Sequence, residues 1–156
     1  MKLLIVSDSH GAENYFYEAV EYEKEGLDVL FFLGDGADDF ASVRDSFPHL
    51  RFAAVRGNCD YFSSVNLNNS DIFMVDNKRI FYTHGHLYGA KQTIETLIGK
   101  AKTENADILL YGHTHSPHKE ITDGIFVMNP GSMKTGRYGV ITIENGVIKG
   151  ELKILP

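Results

Sequence analysis

The chain has 156 residues, 43% of them hydrophobic, a formal net charge of −6 and a single cysteine. That length suits one domain with a sizeable core over residues 1–156, and no linker, repeat or low-complexity stretch divides it. The charge disfavours bulk electrostatic binding of nucleic acid or an anionic membrane, the lone Cys59 excludes an intramolecular disulfide, and no apolar run approaches the roughly 18–20 residues of a membrane span.

The first apolar run, "KLLIVS" at 2–7, reads as a buried strand. It ends at Ser7 and Asp8, too soon for the apolar core of a signal peptide, so a cytoplasmic location is expected and the sequon Asn68-Asn69-Ser70 carries no meaning. Residues 12–25 predict a helix stopped by Gly26. "DVLFFLG" (28–34) is a second buried strand, 37–46 a helix closed by Pro48, and "RFAAVRG" (51–57) a third strand. This alternation predicts parallel pairing in an α/β layer. "DIFMVDN" (71–77) and "RIFYTHG" (79–85) predict strands joined by a tight turn around Asn77 and Lys78. Ile94, Leu97, Ile98 and Ala101 stand at i, i+3, i+4 and i+7, an amphipathic helix over about 90–104. "DILLYG" (107–112) is another buried strand. Four further β runs follow, "HKEIT", "IFVMN", "YGVITIE" and "VIKGELKIL", with turns at Asp123-Gly124, Pro130-Gly131 and Asn145-Gly146. Two sheets packed face to face, with helices outside, accommodate both halves.

Five strands end in polar clusters: Ser7-Asp8-Ser9-His10, Gly34-Asp35-Gly36, Gly57-Asn58-Cys59-Asp60, Thr83-His84-Gly85-His86 and Gly112-His113-Thr114-His115. Taken singly, each is an ordinary turn or cap. Taken together, and if the ends share one edge, they converge where α/β sheets bind ligands. Carboxylate oxygen, amide oxygen and neutral imidazole suit divalent ions such as Mn²⁺, Fe²⁺, Ni²⁺ and Zn²⁺, and the chain has no thiolate set for a structural zinc site. Asp8, His10, Asp35, Asn58, His84, His113 and His115 exceed what one ion needs. They suit two ions sharing a carboxylate, about 3.5–4 Å apart.

The order D-x-H, G-D, G-N-C-D, H-G-H and G-H-T-H resembles the calcineurin-like metallophosphoesterases, and more narrowly their small bacterial and archaeal phosphodiesterase branch. Asn129-Pro130-Gly131-Ser132 also resembles that branch, so the likeness covers nearly the whole chain. It implies an α/β (α+β) fold, a four-layer αββα sandwich of two mixed sheets flanked by helices. It implies one ion held by Asp8, His10, Asp35 and His115 and a second held by Asp35, Asn58, His84 and His113, with Asp35 bridging. The activity implied is hydrolysis of small phosphodiesters by a metal-bridging hydroxide, with Mn²⁺ the first expectation and Ni²⁺, Fe²⁺ or Zn²⁺ the others. Two divalent ions, two carboxylates and a hydroxide leave about one positive charge, which a diester monoanion neutralises.

The family often has a histidine after the motif asparagine, where this chain has Cys59. Cys59 is either a proton donor to the leaving oxygen or a small buried filler. His86 either contacts substrate or orients His84. Asp60 is expected to orient a ligand, in the neighbourhood of His84 or Asp8, and Arg56 to pair with a surface carboxylate or to contact phosphate. His49 and His118 are expected to be solvated. A homo-oligomer is compatible with the sequence. The competing readings are a protein-binding scaffold of the same fold, resembling a retromer subunit, and a phosphomonoesterase or nuclease. Completeness of the ligand set argues against the scaffold. The lack of a capping domain or a basic groove favours a small, open site.

Overall fold

The apolar runs become strands because each alternates its side chains between two buried surfaces. The computed structural model describes residues 1–156. In chain order the elements are β1 (Lys2–Val6), α1 (Glu13–Glu23), β2 (Val29–Phe32), α2 (Ala37–Ser46), β3 (Arg51–Ala54), β4 (Ser70–Val75), β5 (Lys78–Thr83), α3 (Glu95–Thr103), β6 (Ile108–Leu110), β7 (His118–Thr122), β8 (Ile125–Asn129), β9 (Arg137–Glu144) and β10 (Val147–Ile154). They form two five-stranded sheets, ordered β10-β9-β1-β2-β3 and β4-β5-β6-β8-β7. β1, β2 and β3 run parallel in the first, and β5, β6 and β8 run parallel in the second; the remaining strands, β9, β10, β4 and β7, pair antiparallel.

The layers follow from that alternation. Leu3, Ile5, Val29 and Phe31 point inward and meet Ile80, Tyr82, Ile108, Leu110 and Met128 of the other sheet. Leu4, Val6, Leu30 and Phe32 point outward under Phe16, Val20, Phe40 and Val43 of α1 and α2. Phe81, Leu109 and Val127 do the same on the second sheet, under Leu97 and Ala101 of α3. The architecture is the expected four-layer αββα sandwich with two mixed sheets.

The boundaries differ in places. α3 begins at Glu95 rather than near 90, because the apolar spacing itself starts at Ile94 and the Thr93 hydroxyl accepts the Glu95 N–H at 3.2 Å. α1 ends at Glu23, ahead of the left-handed Gly26. The turn between β4 and β5 sits one residue earlier than expected: Asp76 and Asn77 take φ of 50° and 60°, the double left-handed turn that matches strand twist. Asp123-Gly124 and Asn145-Gly146 are hairpin turns of the same kind. Pro130-Gly131 is no hairpin turn; there the chain leaves one sheet and crosses to the other. No helix is long and apolar enough to cross a membrane.

One buried ion cluster ties the C-terminal strand to the first helix. Glu23, 4% exposed, accepts from Tyr138 Oη at 3.0 Å and Lys153 Nζ at 2.9 Å, and lies 3.0 Å from Lys2 Nζ. Burial alone would raise the Glu23 carboxyl, but the bonds from Lys153, Lys2 and Tyr138 outweigh it and hold it below its usual value. Glu23→Gln is therefore expected to lose roughly 1–2 kcal/mol by urea unfolding at pH 7, since both lysines stay half-exposed and can return to water. A depressed folded-state value stabilises above the unfolded one and is lost in acid. The wild-type advantage should therefore hold down to about pH 5 and shrink below it; an advantage independent of pH would contradict this.

Candidate metal centre

The parallel strands of both sheets deliver their carboxyl ends to one edge, and the polar clusters meet there. Asp8 follows β1, Asp35 follows β2, Asn58 follows β3, His84 follows β5 and His113 follows β6. His115 Nε2 lies 3.1 Å from Asp8 Oδ1, His84 Nε2 lies 3.3 Å from Asp35 Oδ2, and Asn58 Oδ1 lies 3.1 Å from His84 Nε2. His113 Nδ1 approaches His84 Nε2 at 3.2 Å, and His10 Nε2 approaches His115 Nε2 at 3.3 Å. All seven sequence-predicted ligands thus sit in one cluster.

Backbone conformation aims them. Ten non-glycine residues have positive φ; five are Asp or Asn in turns or loops away from the site. The other five are Asp8, His10, Asp35, His113 and His115, at φ of 44–70°. Left-handed backbone costs an L-residue roughly 1–2 kcal/mol, and histidine has little local compensation for it. Strain held at five members of one cluster marks a functional site.

The loops carrying these residues are packed against one another. A Cβ at Gly57 would collide with Asp35 Oδ1, and one at Gly112 with Ser7 Oγ, so both positions need glycine for close approach. Asp60, in the 3₁₀ turn Asn58–Asp60, accepts four backbone N–H groups: from Asp35 (2.8 Å), Gly36 (2.9 Å), Ala37 (2.9 Å) and Gly57 (2.7 Å). It orients the Asp35 loop, not His84 or the surroundings of Asp8 as expected, because those four donors converge on it. His84 is oriented instead by the Leu33 carbonyl, to which Nδ1 donates at 2.7 Å. That leaves the lone pair of neutral Nε2 facing the cluster.

The charges are poised for a cation. Asp8 is fully buried; Oδ2 accepts from Ser7 Oγ (2.5 Å) and His113 N–H (3.1 Å), while Oδ1, although His115 Nε2 lies 3.1 Å away, makes no hydrogen bond. An orphaned buried acceptor is costly, and a bound cation would satisfy it. Donor atoms gather in three overlapping groups: Asp8 with His10 and His115, His10 with Asp35 and Cys59, and Asp35 with His84 and His113. Asp35 Oδ2 lies 3.6 Å from His10 Nε2 and 3.3 Å from His84 Nε2. Burial opposes its charge, but His84 and the Cys59 N–H hold the carboxyl well below its usual range. Burial would depress His84, yet Asp35 and Asp8 raise it. Burial, then the charges of His84 and Lys91, push His113 down to about 4, so its imidazole is neutral and free to coordinate at neutral pH. Residue types, orphan oxygen and grouping all fit divalent ions.

Other expectations meet corrections. Cys59 is exposed beside Asp35 and His10, so it is not a buried filler. His86 makes no bond to His84; the rings are 5.4 Å apart, and His86 Nδ1 is buried without a partner. Arg56 pairs with no carboxylate; its guanidinium lies 6.0 Å from the Tyr61 ring centre. His49 is exposed as expected, whereas His118 is half-buried and bonds the Tyr111 hydroxyl at 2.8 Å. Sequence reasoning gave no role to Asn129, which donates to the Gly112 carbonyl and Thr114 Oγ1, both at 3.0 Å, and pins the loop between His113 and His115. Ser132 Oγ similarly donates to the Asp8 carbonyl at 2.8 Å. Their signal was Asn-Pro-Gly-Ser directly after a buried strand.

The sequence profile of the calcineurin-like phosphoesterase superfamily domain matches residues 1–146. The chain belongs to that superfamily. It is 31% identical over 152 residues to a Bacillus subtilis protein named probable metallophosphoesterase YsnB, covering 93% of this chain and 86% of that one. It is also 31% identical over 161 residues to the Escherichia coli phosphodiesterase YfcE, covering 89% and 83%. Among solved structures, Vps29 of Entamoeba histolytica complexed with zinc shares the fold, with a TM-score of 0.75, 19% identity and 99% of each chain covered. The superfamily fold implies divalent metal ions, and the grouped donors are where this chain can hold them.

Because Asp60 positions the Asp35 loop through four N–H groups, Asp60→Asn, which loses the charge and one acceptor oxygen, is expected to weaken metal affinity about 10–100-fold. Titration calorimetry with Mn²⁺ measures it, and wild-type affinity in the variant would contradict the role.

Proposed function

We propose that this chain is a dinuclear metal-dependent phosphodiesterase of the cytoplasm, acting on small phosphodiesters. The observation that carries the reading is the sharing of Asp35 between two histidine-bearing groups at one sheet edge. In this reading Asp8, His10, Asp35 and His115 hold one ion, and Asp35, Asn58, His84 and His113 the other. Manganese suits these oxygen and nitrogen donors best, with Ni²⁺, Fe²⁺ and Zn²⁺ as alternatives. Such ions, when bound, supply Lewis acidity toward the phosphoryl oxygens and lower the pKa of coordinated water.

The chain's residues do the rest. Asp8 and Asp35 are the only anionic members of the set, which leaves the loaded centre positive enough for a monoanionic diester. Burial and then His84 lower His86, so in this reading its neutral imidazole contacts the substrate. Cys59, raised by burial and by Asp35, keeps its proton at neutral pH and offers it to the departing oxygen. A protein-binding scaffold is the second reading, favoured by the fold likeness to Vps29. The complete donor set and the orphaned Asp8 oxygen support the hydrolase.

Initial rates with Mn²⁺ test this. Bis-p-nitrophenyl phosphate is expected to react faster than p-nitrophenyl phosphate, and Asp35→Asn to abolish both. Cys59→Ala should lose roughly 10²–10⁴-fold on an alkyl diester and little on the p-nitrophenyl one, whose leaving group departs unaided. Equal rates or a monoester preference would overturn the diesterase reading, and a Cys59→Ala loss alike on both diesters would remove Cys59 as donor. Inactivity with every metal would favour the scaffold.

A further inference from the structure

A single exposed apolar residue needs no explanation, but Phe62 is not isolated. It is 95% exposed, and it lines the same ≈ 340 Å³ cleft as His10, Asp35 and Cys59 of the cluster. The chain on either side of it is anchored. Asp60 carries the four N–H bonds described above, the Ser63 N–H donates to the Asp60 carbonyl at 3.1 Å, and Ser63 Oγ donates to Asp38 Oδ1 at 2.7 Å. Tyr61 meets the Phe62 ring edge-on, with centres 5.1 Å apart, leaving a face of Phe62 free. The backbone on both sides of the ring is therefore held, while the ring itself stays open to a ligand.

The same cleft is acidic. Asp38 and Asp39 line it, and no lysine or arginine does. Asp39 Oδ2 is occupied by Ser9 Oγ at 2.6 Å and the Gly11 N–H at 2.9 Å. An arm with a second phosphate or a carboxylate would meet repulsion there, whereas a flat apolar ring would find an aromatic face.

We infer that one ester arm of the substrate is a planar, uncharged aromatic group that stacks on Phe62, a nucleobase or an aryl ring. This rests on the phosphoesterase reading, so the test separates binding at the centre from binding on the ring. Calorimetry on the Mn²⁺-loaded protein compares methyl phosphate, phenyl phosphate, 4-carboxyphenyl phosphate and adenosine 5′-monophosphate. Phenyl phosphate, the nucleotide, or both are expected to bind about 3–10-fold more tightly than methyl phosphate, the usual scale for one aromatic pair. Which of them gains distinguishes an aryl arm from a nucleobase beyond a sugar. The carboxylated ring should lose that gain. Phe62→Ala should abolish the gain while leaving methyl phosphate binding unchanged, and Phe62→Tyr should keep it. A gain that survives Phe62→Ala, or no gain at all, overturns the inference while leaving the metal centre standing. Full gain by the carboxylated ring overturns the uncharged part. If methyl phosphate itself does not bind, the phosphoesterase reading fails and takes the inference with it. If Phe62→Ala instead dissociates an oligomer and leaves the ring preference intact, Phe62 belongs to a contact between copies and the inference is wrong.

Discussion

Left-handed backbone directly beyond the strand ends is the constraint on which the centre depends. A strand leaving the sheet in ordinary extended or right-handed conformation would carry its next side chains away from the edge. At Asp8, Asp35 and His113 the chain instead reverses within two or three residues of the sheet and turns the side chain back over it. His10 and His115 repeat the reversal two residues further on. Each of these conformations is unfavourable by itself, so something else must hold them. The Asp60 carboxylate holds the Asp35 loop, Asn129 the His113 loop, and Ser132 the Asp8 carbonyl. Behind them the sixteen-residue core between the sheets fixes where the strands end.

Electrostatics continues the same argument. Two carboxylates are buried among four histidines, and one carboxylate oxygen makes no hydrogen bond. Against the opposing pull of burial, Asp35 and Asp8 raise His84 while His84 lowers Asp35, as expected of carboxylates and an imidazole that share one buried site. The arrangement lowers stability locally and gains a site shaped for positive charge. The ring nitrogens of His10 and His115, and of His84 and His113, approach to 3.2–3.3 Å, a spacing at which one of each pair donates to the other or a cation takes both lone pairs.

Much of this was legible in the sequence, for physical reasons. Strands buried on both faces read as continuous apolar runs, so β1, β2 and β6 were plain, and the Asp-Gly and Asn-Gly hairpins were fixed by local chemistry. The cluster of candidate donors was legible because it recurs at strand ends, where few other patterns place histidine. The role of Asp60 was not, because its partners are backbone N–H groups more than twenty residues earlier, and N–H groups leave no mark in a sequence. Pro130-Gly131 read only as a turn, and the crossing there stayed hidden because a turn dipeptide does not say which sheet the next strand joins. Phe62 gave no signal at all; only its place on the cleft wall distinguishes it from an ordinary exposed aromatic.

The central claim is that strand-end residues build a site for two ions with Asp35 between them. Its most direct test is the metal content of protein reconstituted with excess Mn²⁺ and freed of loosely held metal, measured by elemental analysis. About two ions per chain in the wild type, with both lost or weakened in Asp35→Asn, is the expected result. One ion or none in the wild type would contradict it.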